Sequence, residues 1–361
     1  MSSQPRFPRR TGPTAALILL ATAIAFLSLS STSLASTGSV YYDTNGNAAA
    51  GGTLFNGAFT GTGNVGLGRN VMTFLTSGSD NSAIGSGALD DVTSGSNNIA
   101  NGFQALFGDS TGSGNIASGR FALQVNSSGN NNVATGTNAL LSNTVGIDNI
   151  ATGANALQSN VDGHDNIASG FRAMISNTSG SDNVASGLNA LYSNTTGSDN
   201  VATGVGALFD NTTAANNVAT GFSALQTDST GHDNTALGTN ALGANKTGSS
   251  NLALGSGAGK NLTTGSYNIE LANAGHTGEA RTIRIGGASQ TRAFIGGVSG
   301  KSISGPVKTV VINSSGQLGT KVSAAKRKSS SLSGKVSSLT RQVRRQAQMI
   351  RQLRREVSAR H

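Results

Sequence analysis

Asparagine recurs every seventeen residues along this chain, at positions 64, 81, 98, 115, 132, 149, 166, 183, 200, 217, 234, 251 and 268, with no insertion or deletion. A period held that strictly admits only architectures in which each repeat stacks on the one before it. With each asparagine as position one, position three is Ala from Ala83 to Ala253 and position five is Gly from Gly68 to Gly255. Position nine is Leu or Met from Met72 to Leu242, and position fifteen is Gly except at Ala214. The repeat reads N-[VI]-A-x-G-x-x-A-L-x-x-N-x-x-G-x-[DN].

Seventeen residues are too few for a helix pair, and turn chemistry occurs twice, at the position-five glycine and in the N-x-x-G segment. The pattern predicts two short strands per repeat, one on N-[VI]-A-x-G and one on x-A-L-x-x. The expected fold is all-β: a parallel β-roll or β-helix solenoid of about thirteen 17-residue coils, roughly 58 Å long at the usual strand spacing. Position-one asparagines then stack into an amide ladder, and position-five glycines occupy corners that need φ > 0. The composition fits: Gly is 50 of 361 residues while aromatics are only 4%. If the small Ala points inward, alternation sends the Val/Ile column (Ile99, Ile116, Val133, Ile150, Ile167, Val184, Val201, Val218) outward. Each coil buries too little apolar surface to offset the ordering of seventeen residues, so the stripe predicts oligomerisation.

Composition shifts divide the rest. Residues 1–35 read as a signal peptide: Arg6, Arg9 and Arg10 precede the uncharged apolar run Ala15 to Leu29, and Ser33-Leu34-Ala35 predicts cleavage after Ala35. This implies a secreted, extracellular or cell-surface protein. Residues 36–60 form an N-terminal cap, 61–280 the β-roll head repeats and 281–320 a β transition module, with a turn at Asn313 to Gly316. In 321–361, Val336, Val343, Ile350 and Val357 at a alternate with Leu332, Leu339, Gln346 and Leu353 at d, the seam of a coiled coil.

The formal charge of +9 belongs to no single region. Residues 321–361 carry twelve Lys or Arg and one Glu, whereas 36–320 carry ten basic and fifteen acidic residues. Arg341, Arg344, Arg345, Arg351 and Arg355 take outer heptad positions, a cationic sheath suited to an anionic polymer or lipid surface. No aromatic interleaving or base-reading motif accompanies them, which argues against nucleic acid.

Chemistry-bearing constellations are missing from the sequence. There is no Cys, hence no disulfide, thiolate metal site or Cys nucleophile. Asp80, Asp148, Asp165, Asp182, Asp199 and Asp233 precede the ladder asparagine, but one carboxylate per coil suits Asx-type turn capping rather than calcium. His164 and His232 lie four coils, about 19 Å, apart by strand spacing and cannot share a metal. The Ser/Thr column at position four (Ser118, Thr135, Thr152, Ser169, Ser186, Thr203, Thr220) is expected to line an interchain core. A solenoid glycan-active enzyme would break its repeat with clustered carboxylates and an aromatic platform, and this repeat stays regular from 81 to 255. No catalytic, cofactor-binding or metal-binding residue is expected, and the chain reads as a non-enzymatic structural rod.

The N-V-A-T-G and N-I-A-S-G motifs, the A-L-x-S-N-T-T-G spacers and the closing heptads resemble the head and stalk of YadA-like trimeric autotransporter adhesins over residues of about 60 to 280 plus the coiled coil. The resemblance implies a left-handed parallel β-roll, a homotrimer, and adhesion to a surface glycan or matrix protein. The family ends in a β-barrel anchor, whereas Arg360-His361 follows the helix directly, which leaves surface retention open. β-Branched a and Leu d residues lean toward two strands, so trimer and dimer both stand. From Thr282 to Lys328, I-R-I-G, A-F-I-G-G-V-S-G and V-V-I-N-S-S-G-Q-L-G-T resemble the junction ahead of an endosialidase-type intramolecular chaperone in tail-fibre-like proteins. That resemblance implies a self-cleaving Ser/Lys junction at Ser323 and Lys328, vestigial or active; the intervening residues match only loosely, and the helix standing where the chaperone would be favours a vestige.

Overall fold

A computed structural model describes residues 40–52, 59–295, 305, 309–314, 316–320 and 325–358. The signal-peptide reading and Ser323 lie outside these residues. Two compact units divide between Thr291 and Arg292.

The first unit is a parallel β-solenoid of about fourteen turns. It opens with β1 (Val40–Tyr42), antiparallel to β2 (Ala48–Ala50). From there each rung contributes one three-residue strand, from β3 (Val65–Leu67) to β14 (Leu252–Leu254), then β15 (Ile269–Leu271) and β16 (Ile283–Ile285). Pairing is parallel and shifted by one repeat, as in Val184↔Val201 and Ala185↔Ala202. Asn47 extends the asparagine register one rung before Asn64, because Ala48 pairs with Val65. The last turn is shorter, with Ile269 paired to Ile283.

Only one strand forms per repeat. The x-A-L-x-x segment expected as a second strand is a run of turns, because its backbone repeatedly enters the left-handed region: φ is +57° at Asn138 and +49° at Leu140, and the pattern recurs along the rod. Residues at those angles cannot lie in a pleated strand. Neighbouring coils are still joined there, Leu140 N–H donating to the Ala156 carbonyl at 3.0 Å. The core is correspondingly thin: Ala at positions three and eight and Leu or Met at position nine are buried at nearly every rung, as Ala151, Ala156 and Leu157 illustrate.

Two buried amide ladders flank that core. In the position-one ladder, Asn149 donates its backbone N–H and its Nδ2 to Asn132 Oδ1, each at 3.1 Å, and Nδ2 also to the Gly163 carbonyl at 2.9 Å. The second ladder, at position twelve, went unrecognised in the sequence as anything but turn chemistry. Asn160 Nδ2 donates to Asn143 Oδ1 at 2.8 Å and to the same Gly163 carbonyl at 2.9 Å. Buried amides fully paired in this way lock the rung register. The corner glycines are required sterically: Gly136 has φ +134°, and a Cβ there would sit 2.6 Å from the Gly153 carbonyl oxygen.

Both solenoid ends are capped. At the first rung the Asp43 carboxylate accepts Asn47 N–H at 2.8 Å and Asn47 Nδ2 at 2.9 Å, which starts the ladder. At the last, the inward column passes from Ala253 to Glu270 to Arg284. Arg284 clamps Glu279 through Nε (2.8 Å to Oε2) and Nη2 (2.7 Å to Oε1), which terminates the apolar core with charge.

In the second unit, β17 (Val310–Ile312) and β18 (Leu318–Thr320) form an antiparallel hairpin whose turn is held by Gln317 N–H donating to Asn313 Oδ1 at 2.9 Å. A 34-residue helix, α1 (Ala325–Ser358), follows. Lys328 lies in it, and no strand forms over 293–295.

Candidate functional site

Each strand leaves its first and third residues pointing away from the core, so the sheet carries two outward columns about 7 Å apart by strand rise. The first is the Val/Ile column: Ile99, Ile116, Ile150, Ile167 and Val218 are each roughly 40% exposed or more. The second is hydroxyl-bearing in the middle (Thr135, Thr152, Thr203) and apolar toward the ends, with Leu67 and Ile84 on one side and Leu237 and Leu254 on the other. The face spans about 65 Å by strand spacing, and its first column is, from Ile99 to Val218, an unbroken aliphatic row of the kind that marks association surfaces.

The corner preceding each strand carries the aspartates. Asp148, Asp165, Asp182 and Asp199 stack on consecutive rungs with φ between +55° and +59°. None of these carboxylates accepts a backbone N–H, so tolerance of the left-handed backbone, rather than the expected Asx capping, explains Asp and Asn there. Asp165 and Asp233 each face the preceding histidine, with Oδ2 2.9 Å from His164 Nδ1 and 2.7 Å from His232 Nδ1. These exposed pairs lie on separate rungs, and among the described residues no three His, Cys, Asp or Glu side chains converge as a metal site.

Among the described residues four acids are buried, Asp90, Asp109, Asp228 and Glu270, and the repeat pattern singled out none of them; burial raises the carboxyl of the last three. Asp109 and Asp228 replace asparagine in the position-twelve ladder, where burial pushes each carboxyl up to about 7 against backbone and amide donors that pull it down. A carboxylate supplies no N–H to the rung before it. Asn211 Oδ1, which would receive that donor from position 228, has no partner, and neither has Asp109 Oδ2. Glu270 is raised to about 7 by burial and by the nearby Glu279, with Arg284 opposing.

On α1 the heptad seam is uncovered: Val336, Leu339, Val343, Ile350 and Leu353 are all more than half exposed. Arg341, Arg344, Arg345, Arg351 and Arg355 enter no ion pair; among the described residues the ion pairs are His164–Asp165, His232–Asp233 and Arg284–Glu279. The fold therefore defines a class, a stacked parallel β-solenoid with an amphipathic basic helix. No protein-family model, curated protein or solved structure matches the chain.

Proposed function

We propose that this chain is an exported, homotrimeric adhesin-like rod that attaches multivalently to a surface glycan or matrix protein. Its N-terminal segment directs export and is removed after Ala35. The observation that carries the reading is the register-locked apolar column from Ile99 to Val218, whose residues run exposed or half-exposed along the sheet face. Three copies packed face to face bury that column and bring the position-four hydroxyls together across the interface. The a and d residues of α1 form a three-stranded coiled coil that fixes the axis, with Gln346 setting register. The arginine sheath this creates docks an anionic polymer or lipid surface.

The test is the mass of the full chain by light scattering, with and without residues 321–361, combined with binding to immobilised glycans and matrix proteins. Three chains per particle and saturable binding without turnover are expected. A monomer, or product release from a glycan, overturns the reading.

A further inference from the structure

The corner that follows each strand differs from the rest of the rod, and it bears no acid at repeat positions six, seven and ten from Phe103 to Phe209. On its plainest rungs this corner reads Thr137-Asn138 and Ala154-Asn155, joined by Asn138 Nδ2 donating to Asn155 Oδ1 at 3.0 Å. The rung on one side carries Arg120-Phe121, and the rung on the other carries Phe171-Arg172. Arg120 Cζ lies 4.1 Å from the Phe121 ring centroid and 6.0 Å from that of Phe103. Phe103 and Phe121 meet edge to face at 5.4 Å. Arg172 Cζ lies 4.9 Å from the Phe171 centroid. Two guanidinium–aromatic stations thus flank an amide floor, three rungs or about 14 Å apart by strand spacing.

These side chains occupy an unfavourable place. Position seven has a left-handed backbone, and the rod mostly fills it with Asn or Gly; Gln104 at φ +51°, Phe121 at φ +60° and Arg172 at φ +56° are the bulky exceptions in this stretch. Neither arginine enters an ion pair. Phe103 and Phe171 remain nearly half exposed. Phe121 is half-buried and Arg172 exposed, so at Arg172 the strain is held without burial to compensate it, which points to a role outside folding.

We propose that this corner, from Phe103 to Arg172, is a binding site for an extended acidic oligosaccharide, a proposal that rests on the attachment reading above and gives it a location. Aromatic rings offer stacking faces to sugar rings, and Asn155 Nδ2, which donates to no protein atom, meets hydroxyls. Arg120 and Arg172 take carboxylate or sulfate groups bidentately. A strand-adding peptide is disfavoured because the backbone here is already paired between rungs: Asn155 N–H donates to the Thr137 carbonyl and Arg172 N–H to the Ala154 carbonyl.

The full chain is titrated with hexagalacturonate, a heparin hexasaccharide and neutral maltohexaose, with hydrogen exchange locating the protected peptides. Protection of residues 100–175 by an acidic sugar, but not by maltohexaose, is expected. The corner variant Arg120→Thr, Phe121→Asn, Arg172→Asn recreates the Thr-Asn and Asn rungs already present, so it folds. It should weaken binding at least tenfold, while Arg69→Gln, on the same corner of an earlier rung, leaves binding unchanged. Carboxylated and sulfated arms tell which anion the arginines take. Acidic-sugar protection confined to residues 325–358 overturns the corner site but leaves attachment through the helix standing. Equal protection of residues 100–175 by maltohexaose, or a lower particle mass for the corner variant, which would mark these residues as an interchain contact, overturns the corner site. Absence of binding to any of the three sugars overturns it together with glycan attachment.

Discussion

Asp228 is where the rod's own repeat can be used to repair it. The position-twelve ladder runs Asn194, Asn211, Asp228, Asn245, and each Asn normally donates Nδ2 to the Oδ1 of the rung before it. At rung 228 that donor is missing when the carboxyl is ionised, which orphans Asn211 Oδ1. Burial holds the Asp228 carboxyl at about 7 against 3.8 for an ordinary aspartate. The unfolded chain therefore loses this proton near pH 4, while the folded chain keeps it until about pH 7. Because the folded state binds more protons in that window, stability falls as pH rises from 4 to 7 and levels off above it. The full loss at this one side chain is about 4 kcal/mol.

Asp228→Asn removes the titrating group and supplies the missing N–H. Its advantage over the parent should be small at pH 4, where neutral Asp228 can donate its own O–H, and should grow to about 4 kcal/mol by pH 8. Urea unfolding followed by far-ultraviolet circular dichroism at pH 4.5, 6, 7 and 8, at one protein concentration, measures the difference. Asp109 and Glu270 titrate equally in both proteins, so the difference isolates position 228. A gap that stays constant with pH, or a variant less stable than the parent at pH 8, refutes the reasoning.

Gly136→Val should destabilise the solenoid by more than about 3 kcal/mol, since its Cβ meets the Gly153 carbonyl at a φ of +134°; thermal unfolding measures this. The pair Ile150→Lys and Ile167→Lys, on the outward column, should leave the β signal intact while lowering particle mass in light scattering; an unchanged mass would remove the sheet face as the assembly surface.

The position-one ladder and the inward Ala column were legible because a strict period and the two-residue alternation of a strand each have one physical meaning. The outward stripe followed from the same alternation. Reading x-A-L-x-x as a strand failed because nothing in the letters of Leu140 or Leu157 announces φ near +50°, a backbone that leucine adopts only when a buried site more than offsets the strain. The second ladder was visible as Asn126, Asn143, Asn160, Asn177, Asn194 and Asn211, yet N-T-T-G also satisfies an ordinary turn, and only the fold shows those amides buried. The Arg120–Phe121 and Phe171–Arg172 stations were hidden differently: they depart from the consensus, and periodicity discards departures. Chain assembly and ligand identity depend on molecules other than this one.

A solenoid built from identical rungs has no internal reason to stop, so its end must be specified, and Arg284 is where the specification can be tested. Ala253 is followed inward by Glu270 and then Arg284, so the last two rungs put charge where the earlier ones put alanine, or glycine at Gly66. Arg284 holds Glu279 below the usual carboxylate range through hydrogen bonds and partly offsets the burial that raises Glu270. In Arg284→Ala both carboxyls remain, one buried and one beside it, with no cation. Above about pH 7 the variant's final turn must then open to hydrate them, at a cost on the order of 1–3 kcal/mol for the lost charge-assisted bonds. Hydrogen exchange at residues 268–286 should accelerate roughly ten- to hundredfold at pH 8. At pH 5, where Glu270 is protonated, the acceleration should largely vanish, while rungs around Asn149 stay unchanged at both. Acceleration that spreads evenly over the rod, or persists undiminished at pH 5, would show that Arg284 supports the stack as a whole rather than closing its end.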